Sequence, residues 1–431
     1  MLTDRPHSRQ DSPPRLSDIP AHELKQSGWL LVIGTYLAYF DRFVSSAGAT
    51  FLKRELDLSD ADFGLLAGTL FAVAYAGGAV AFGHWSRGRS PSPFLIAGLS
   101  AWTFGMFALG YAARPEHFAL AQIIAGVGQA AFIPAAVAVI ASTEGAARIG
   151  QATSRFSIAS SLGRSSATLT TGAIIAAIAA VGFAAPFGLP AAWRTAFLLT
   201  SLPNFILIVA LAIVLCRSGK IAAALPAPPA RWSVTPTQLS LVAAACAAVV
   251  VIQSAAIWYP TLLVRAYALE PARAAMLAGV VTLISMPLGQ WFGGRLLDRV
   301  NAFGIVPTQI VMGGIAIGTV AFLLLIVSPT LSVALALLAL ANLALGTASL
   351  SALAGIQRTT PLADRRRING YFFATITLVG LGTGPALTGI LSDASVDPAA
   401  ALPRALAIVA GAMLGVAIMA HLFAPKPRSR P

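Results

Sequence analysis

The chain has 431 residues, of which 57 % are hydrophobic and only 10 % charged, with a mean hydropathy of +0.78. Soluble domains carry about a quarter charged residues, so the composition excludes a soluble globular protein. The net charge of +13 does not point to nucleic acid, because no basic run is interleaved with stacking aromatics; cation-rich loops on one side of a membrane account for it better.

Residues 1–26 are polar and proline-rich without an apolar h-region, so they read as a disordered cytoplasmic tail, not a cleavable signal peptide. Twelve apolar spans follow, each long enough to cross a bilayer as a helix. They lie near 28–50, 63–84, 93–113, 117–141, 155–182 and 195–216, then 237–260, 273–293, 304–327, 330–355, 368–391 and 403–424. The expected organisation is all-α and integral to the membrane, with twelve transmembrane helices in two pseudo-symmetric six-helix bundles. One bundle is 27–216 and the other 237–424, with a cytoplasmic linker at 217–236 and a short tail at 425–431. Pro134, Pro287, Pro307 and Pro385 are expected to bend helices.

Of the 29 Lys and Arg, Lys53, Arg54, Arg114, Arg194, Arg265, Arg273 and Arg404 fall in loops on one side. Arg42, Arg155 and Arg164 lie within or at the edge of spans, and the remaining 19 fall on the other side. That bias places both termini in the cytoplasm, and the expected location is the inner membrane. The halves also echo each other. "GHWSRGRS" after the second span matches "GGRLLDRVN" after the eighth, and "ARIGQA" after the fourth matches "RRINGYF" after the tenth. Two like halves suggest a transporter, expected as a monomer, that rocks around a central site.

Charges at membrane depth cost at least ~2.5 kcal/mol each on insertion scales and usually mark function. In the first span, Thr35, Tyr39, Arg42 and Ser46 follow helical spacing and form one polar stripe. Asp41 belongs to the adjoining face with Gly34, Ala38, Ser45 and Gly48, small residues suited to close packing. Ser157, Ser161, Arg164, Thr168 and Thr171 form a matching stripe on the fifth span, and Gln122, Gly126 and Gln129 share one side of the fourth. Three helices would thus line a pocket with Arg42, Arg164, Gln129 and one acid, Asp41. The second half has no charge in the core of any span, only Gln253, Ser285, Asn342, Ser349, Tyr371 and Thr375 among apolar residues. A cavity cationic on one wall and greasy on the other suits an amphiphile with an anionic head. Each residue also has a structural reading: Asp41 and Arg42 as an ion pair, Gln129 as a tie between helices, Arg155 as a snorkel to headgroups. A buried Asp41 would favour its neutral form and a nearby Arg42 its charged form, which is a route to proton coupling.

The stretch "AYFDRF", followed by "LKRELDLSDADFGLLAGTLFAVAYAGGAVAFGHW", resembles the spinster-like members of the major facilitator superfamily. The resemblance continues at "GVGQA" (Gly126 to Ala130) and "GTGPALTGILSD" (Gly382 to Asp393). It implies export of lysophospholipids or sphingoid phosphates, in some members linked to protons. It maps Asp41 and Arg42 onto the helix 1 pair and Asp60 onto the loop acid, and it implies gating roles for Asp60, Arg87, Asp298 and Arg299. The chain departs from the pattern at Gln129, where the family tends to have glutamate, at Gln122 in place of arginine, and at Arg87 in place of a latch aspartate.

Small organic anions or hydrophobic drugs are the competing cargo. A membrane lipid enzyme is disfavoured, since His7, His22, His84, His117 and His421 are scattered without a nucleophile or metal-ligand spacing. A receptor or scaffold would leave the polar stripes and the repeat without a use. Cys216 and Cys246 suggest neither a disulfide nor a metal site, and no cofactor is expected.

Overall fold

The computed structural model describes residues 21–86, 89–143, 149–181, 191–217, 234–300, 306–360 and 365–423. Among these the chain is helical, with no strand. The first half comprises α1 (Ala21–Ala47), α2 (Ala49–Glu55), α3 (Asp60–Gly64), α4 (Phe71–Trp85), α5 (Ser92–Gly110), α6 (Pro115–Thr143), α7 (Ile149–Val181) and α8 (Ala192–Arg217). The second comprises α9 (Pro236–Tyr267), α10 (Pro271–Val300), α11 (Pro307–Ile326), α12 (Leu331–Thr359), α13 (Arg365–Ile376), α14 (Gly382–Asp393) and α15 (Pro398–Leu422). A π-helical turn, Leu65–Leu70, fuses α3 to α4 into one span, and a second, Thr377–Leu381, fuses α13 to α14. Among the described residues eleven helices are long and apolar enough to cross a membrane. α1, whose core carries the two charges, is the twelfth and packs against α6, α7 and α8.

Helix ends follow the local sequence. Ser59 and Asp62 form a reciprocal capping box at α3, and Thr235 with Gln238 forms another at α9. Asp397 caps α15 and Thr330 caps α12. Pro134, Pro287 and Pro385 lie inside helices as expected. Pro307 does not bend a span: it is the first residue of α11, where a missing N–H costs nothing.

The halves meet chiefly at the end opposite the linker, termed here the sealed face. α7 packs closely on α10, where a side chain at Gly279 would collide with the Leu169 backbone. α3 lies against α14, with Gly64 against the Pro385 carbonyl. Phe63 stands edge-on to Trp258 across the same seam, with centroids 5.6 Å apart. The two π turns face each other midway along, and Thr69 Oγ1 donates to the Gly382 carbonyl. Beyond that crossing α4 leaves the second half: Gly77 and Gly83 have only open space beside them. Toward the linker face an aromatic contact between the halves is Phe156 on Phe373, at 5.7 Å.

Candidate functional site

Residues 41 and 42 are about 100° apart on α1, and that turn sends them into different compartments. The small face of α1 lets α6 and α8 come close: Gly34 lies under Phe132 and Leu207, and Gly48 under Phe197. Asp41, on this face, is 2 % exposed and points into the first bundle. Its Oδ2 accepts hydrogen bonds from Trp102 Nε1 on α5 (2.7 Å) and Asn204 Nδ2 on α8 (2.6 Å). It makes no ion pair with Arg42.

Arg42 turns the other way. Its Nη2 donates to Gln129 Oε1 on α6 at 2.8 Å, and Gln129 Nε2 donates in turn to the Ala38 carbonyl at 2.9 Å. The guanidinium carbon lies 4.7 Å from the Tyr39 ring centre, 4.8 Å from that of Phe71 and 5.5 Å from that of Tyr75. Those faces hold the cation's charge but do not neutralise it. Arg164, on α7, is near enough for the two guanidiniums to repel, and both interact with Tyr39. Arg42 Nε and Arg164 Nε are buried without a hydrogen-bond partner. Neither arginine has a carboxylate within ion-pair distance among the described residues. Tyr39 then meets Phe156 edge-on at 6.2 Å, and Phe156 meets Phe373. An aromatic shelf therefore runs from the cations to the second half.

The remaining members of the predicted stripes lie elsewhere. Thr35 donates to the Leu31 carbonyl of its own helix. Ser46 donates across the seam to the Ala256 and Ile257 carbonyls, both at 2.9 Å. Ser161 donates to Gln290 Oε1 on α10 at 3.2 Å, and Thr168 is buried further along α7. Tyr371 is exposed near the start of α13. Arg299 is exposed at the end of α10. Arg87 and the side chains of Asp298 and Ser157 lie outside the described residues.

At the sealed face Asp60 is 1 % exposed and binds two cations. Arg265 Nη1 and Nη2 clamp its two carboxylate oxygens at 2.6 Å each, Lys53 pairs with it, and Ser392 Oγ donates at 2.6 Å. Asp393 of α14 accepts the backbone N–H groups of Asp60 (3.0 Å) and Ala61 (2.7 Å), at the start of α3. Burial, and then the Arg265 guanidinium, pull the Lys53 ammonium down to about 8, against the opposite pull of Asp393 and Asp62. The loop cation Arg265 is thus a clamp between halves and Lys53 a brace of Asp60 within the first, which counting them for orientation does not reveal. Nor does sequence reasoning find Trp102 and Asn204; the available signal was a lone indole N–H and a lone amide in otherwise apolar runs.

Three comparisons bear on this geometry. The sequence matches the Major Facilitator Superfamily over residues 31–381. An "MFS-type efflux pump" from Mycolicibacterium smegmatis (strain ATCC 700084 / mc(2)155) is 28 % identical over 414 residues, covering 92 % of this chain and 91 % of that protein. Among solved structures, the fold is similar to a bacterial homologue of the human lysosomal transporter Spinster. Its inward-facing unoccupied form has a TM-score of 0.76 at 18 % identity, covering 93 % of this chain and 96 % of that one. Its inward-facing occupied form gives 0.76 at 19 %, covering 96 % and 97 %. A peptide transporter follows at 0.71 and 14 %, covering 96 % of this chain and 99 % of that one.

Proposed function

Because the chain belongs to the Major Facilitator Superfamily and is a multi-pass membrane transporter, we propose that it carries an anionic amphiphile, a lysophospholipid or sphingoid phosphate, by alternating access coupled to protons. The observation that carries this reading is the guanidinium pair Arg42 and Arg164, left without a carboxylate and set beside an aromatic shelf. A phosphate head would supply the missing counter-charge, with Gln129 and Tyr39 orienting Arg42. The chain of rings and the apolar second half would take the tail. Tyr371 and Thr168 flank the path, whereas Thr35, Ser46 and Ser161 contribute through helix packing. The seal at Asp60 and the splay of α4 correspond to a state open toward the cytoplasm, with both termini and the linker on that side in the bacterial inner membrane. Asp298 and Arg299 latch the opposite state.

Proton coupling on this reading passes through α1. Asp41 and Arg42 do not touch, so the proton and the anion communicate by the rotation of the helix that carries both. The relative named as an efflux pump favours a second reading, in which the same pocket exports small organic anions or hydrophobic drugs. Reconstituted liposomes with a labelled lysophospholipid and an imposed pH gradient separate the two. Gradient-stimulated movement that disappears in Arg42→Ala supports the amphiphile. Movement of short anions or dyes, with no lysophospholipid movement, overturns it.

A further inference from the structure

Asp41 lies in a compartment that the anion site does not use. Its Oδ2 accepts both hydrogen bonds described above, while its Oδ1 is buried with no partner. Asn204, bonded to it through Nδ2, is fully buried, and its Oδ1 also lacks a partner. The donors beside Trp102 and Asn204 along α5 and α8 are already used. Trp102 has one N–H, given to Asp41, and the hydroxyls of Thr103, Thr200 and Ser201 donate to the carbonyls of Leu99, Phe197 and Leu198.

The charged groups around this compartment give no counter-ion. α5 presents Trp102 and α8 presents Asn204, both neutral. Phe132 of α6 packs on Trp102 edge-on at 5.2 Å. Arg42 on α1 is committed to Gln129 and its rings, Arg164 on α7 interacts with Tyr39 and Arg42, and Arg194 on α8 is clamped to Glu55 (Nη2 to Oε1, 2.6 Å). An ionised carboxylate here would be desolvated, unpaired and half bare, an arrangement proteins avoid. Two bare acceptors on directly bonded partners cannot satisfy one another either, because neither carries a hydrogen.

One hydrogen atom removes both faults. We propose that Asp41 holds a resident proton on Oδ1 in this conformation and donates it in a hydrogen bond to Asn204 Oδ1. Acid and amide then close a ring of two hydrogen bonds, with Trp102 fixing the orientation of the acid. This deepens the proton-coupled reading above and rests on it for its role in transport. Asn204 and Trp102 are positioning residues: they touch the proton's carrier and not the cargo. The proton stays sealed from the anion site until α1 moves relative to α5 and α8.

Infrared spectroscopy of the purified full chain at neutral pH tests the ring without any transport assay, so it stands or falls separately from the choice of cargo. The expected result is a stretching band from a buried protonated carboxyl, lost in Asp41→Asn and shifted in frequency in Asn204→Leu, where the acid loses its acceptor. Absence of the band from the unsubstituted protein overturns the proposal, as does a band that survives in Asp41→Asn. A band lost in Asp41→Asn yet unmoved in Asn204→Leu overturns the pairing. The melting temperature gives a second readout. Asn at 41 reproduces the neutral acid, with an N–H for Asn204 Oδ1 and an oxygen for the two donors, so it should leave the melting temperature unchanged. A large fall would show that the site needs a charged carboxylate and would equally overturn the proposal.

Discussion

In the first half, α1, α6 and α7 bring Arg42, Gln129 and Arg164 together in the interior. In the second, the polar groups at similar depth turn mostly onto their own helices. Thr282 donates to the Ala278 carbonyl, Ser285 to that of Val281, and Thr347 to those of Leu343 and Gly289. Asn342 reaches Thr282 only at 3.5 Å, and Gln253 keeps a buried Oε1 without a partner. Two bundles with one architecture thus differ in charge: the first buries two cations without a counter-charge, while the buried polar groups named in the second are neutral. On the reading proposed above, such a scaffold would rock symmetrically while holding its cargo by one end.

The comparison breaks first at Arg42. Arg42→Ala should weaken binding of the anionic cargo about 10- to 100-fold, the loss expected of a charge-assisted hydrogen bond, whereas Gln253→Leu in the second half should change it less than about threefold. Thermal-shift titrations with a lysophospholipid check both, and similar losses would erase the distinction between halves. Arg164→Ala should cost about tenfold in the same assay, less than Arg42→Ala because Arg42 alone is fixed by Gln129. Gln129→Glu should also weaken anion binding about tenfold, since an internal carboxylate would compete for the Arg42 guanidinium. Tighter binding in that variant would place the anion elsewhere.

At the sealed face, Arg265→Gln should leave the fold intact and shift the population toward opening of that face. Increased labelling of a cysteine placed at Ala61 would report the shift. The smallest effect is that of pH. Lys53 holds its proton less tightly when the face is sealed, with a value of about 8, than as a free lysine near 10.5. Sealing therefore releases a proton between those values, and raising pH from 7 to 9 should favour the sealed state by at most about tenfold. The same labelling assay should show that dependence reduced in Lys53→Gln.

The spans, the two halves and the divergence of residues 41 and 42 were legible in the sequence, because hydropathy and helical period act locally. Helical period separates Asp41 from Arg42 by face, but the expected pocket still included Asp41; the structure instead sets it between α1, α5 and α8, where Trp102 and Asn204 supply its hydrogen bonds. Partner identity was not legible. Nothing near Asp41 announces Asn204, which comes from α8, and nothing near Asp60 announces Arg265, which comes from the other half. A stripe of hydroxyls also cannot say whether each serves a ligand or its own backbone. Thr35 shares the period of Arg42 yet donates to the carbonyl one turn back on its own helix, and Ser46 donates across the seam to carbonyls of α9.

The facing π turns have a mechanical consequence. A π turn interrupts the regular hydrogen-bond ladder and is a natural flexible joint, and here two joints meet where the spans cross. On the alternating-access reading proposed above they would serve as a fulcrum, with two unequal arms. The 15 residues of α4 make an arm of about 22 Å, so a tilt of about 10° sweeps its far end through about 4 Å. The arm toward Asp60, including the π turn itself, is shorter and travels less for the same tilt. On that reading a displacement at the carboxylate clamp would be magnified at the opposite mouth, so that breaking a few short contacts would open a wide one.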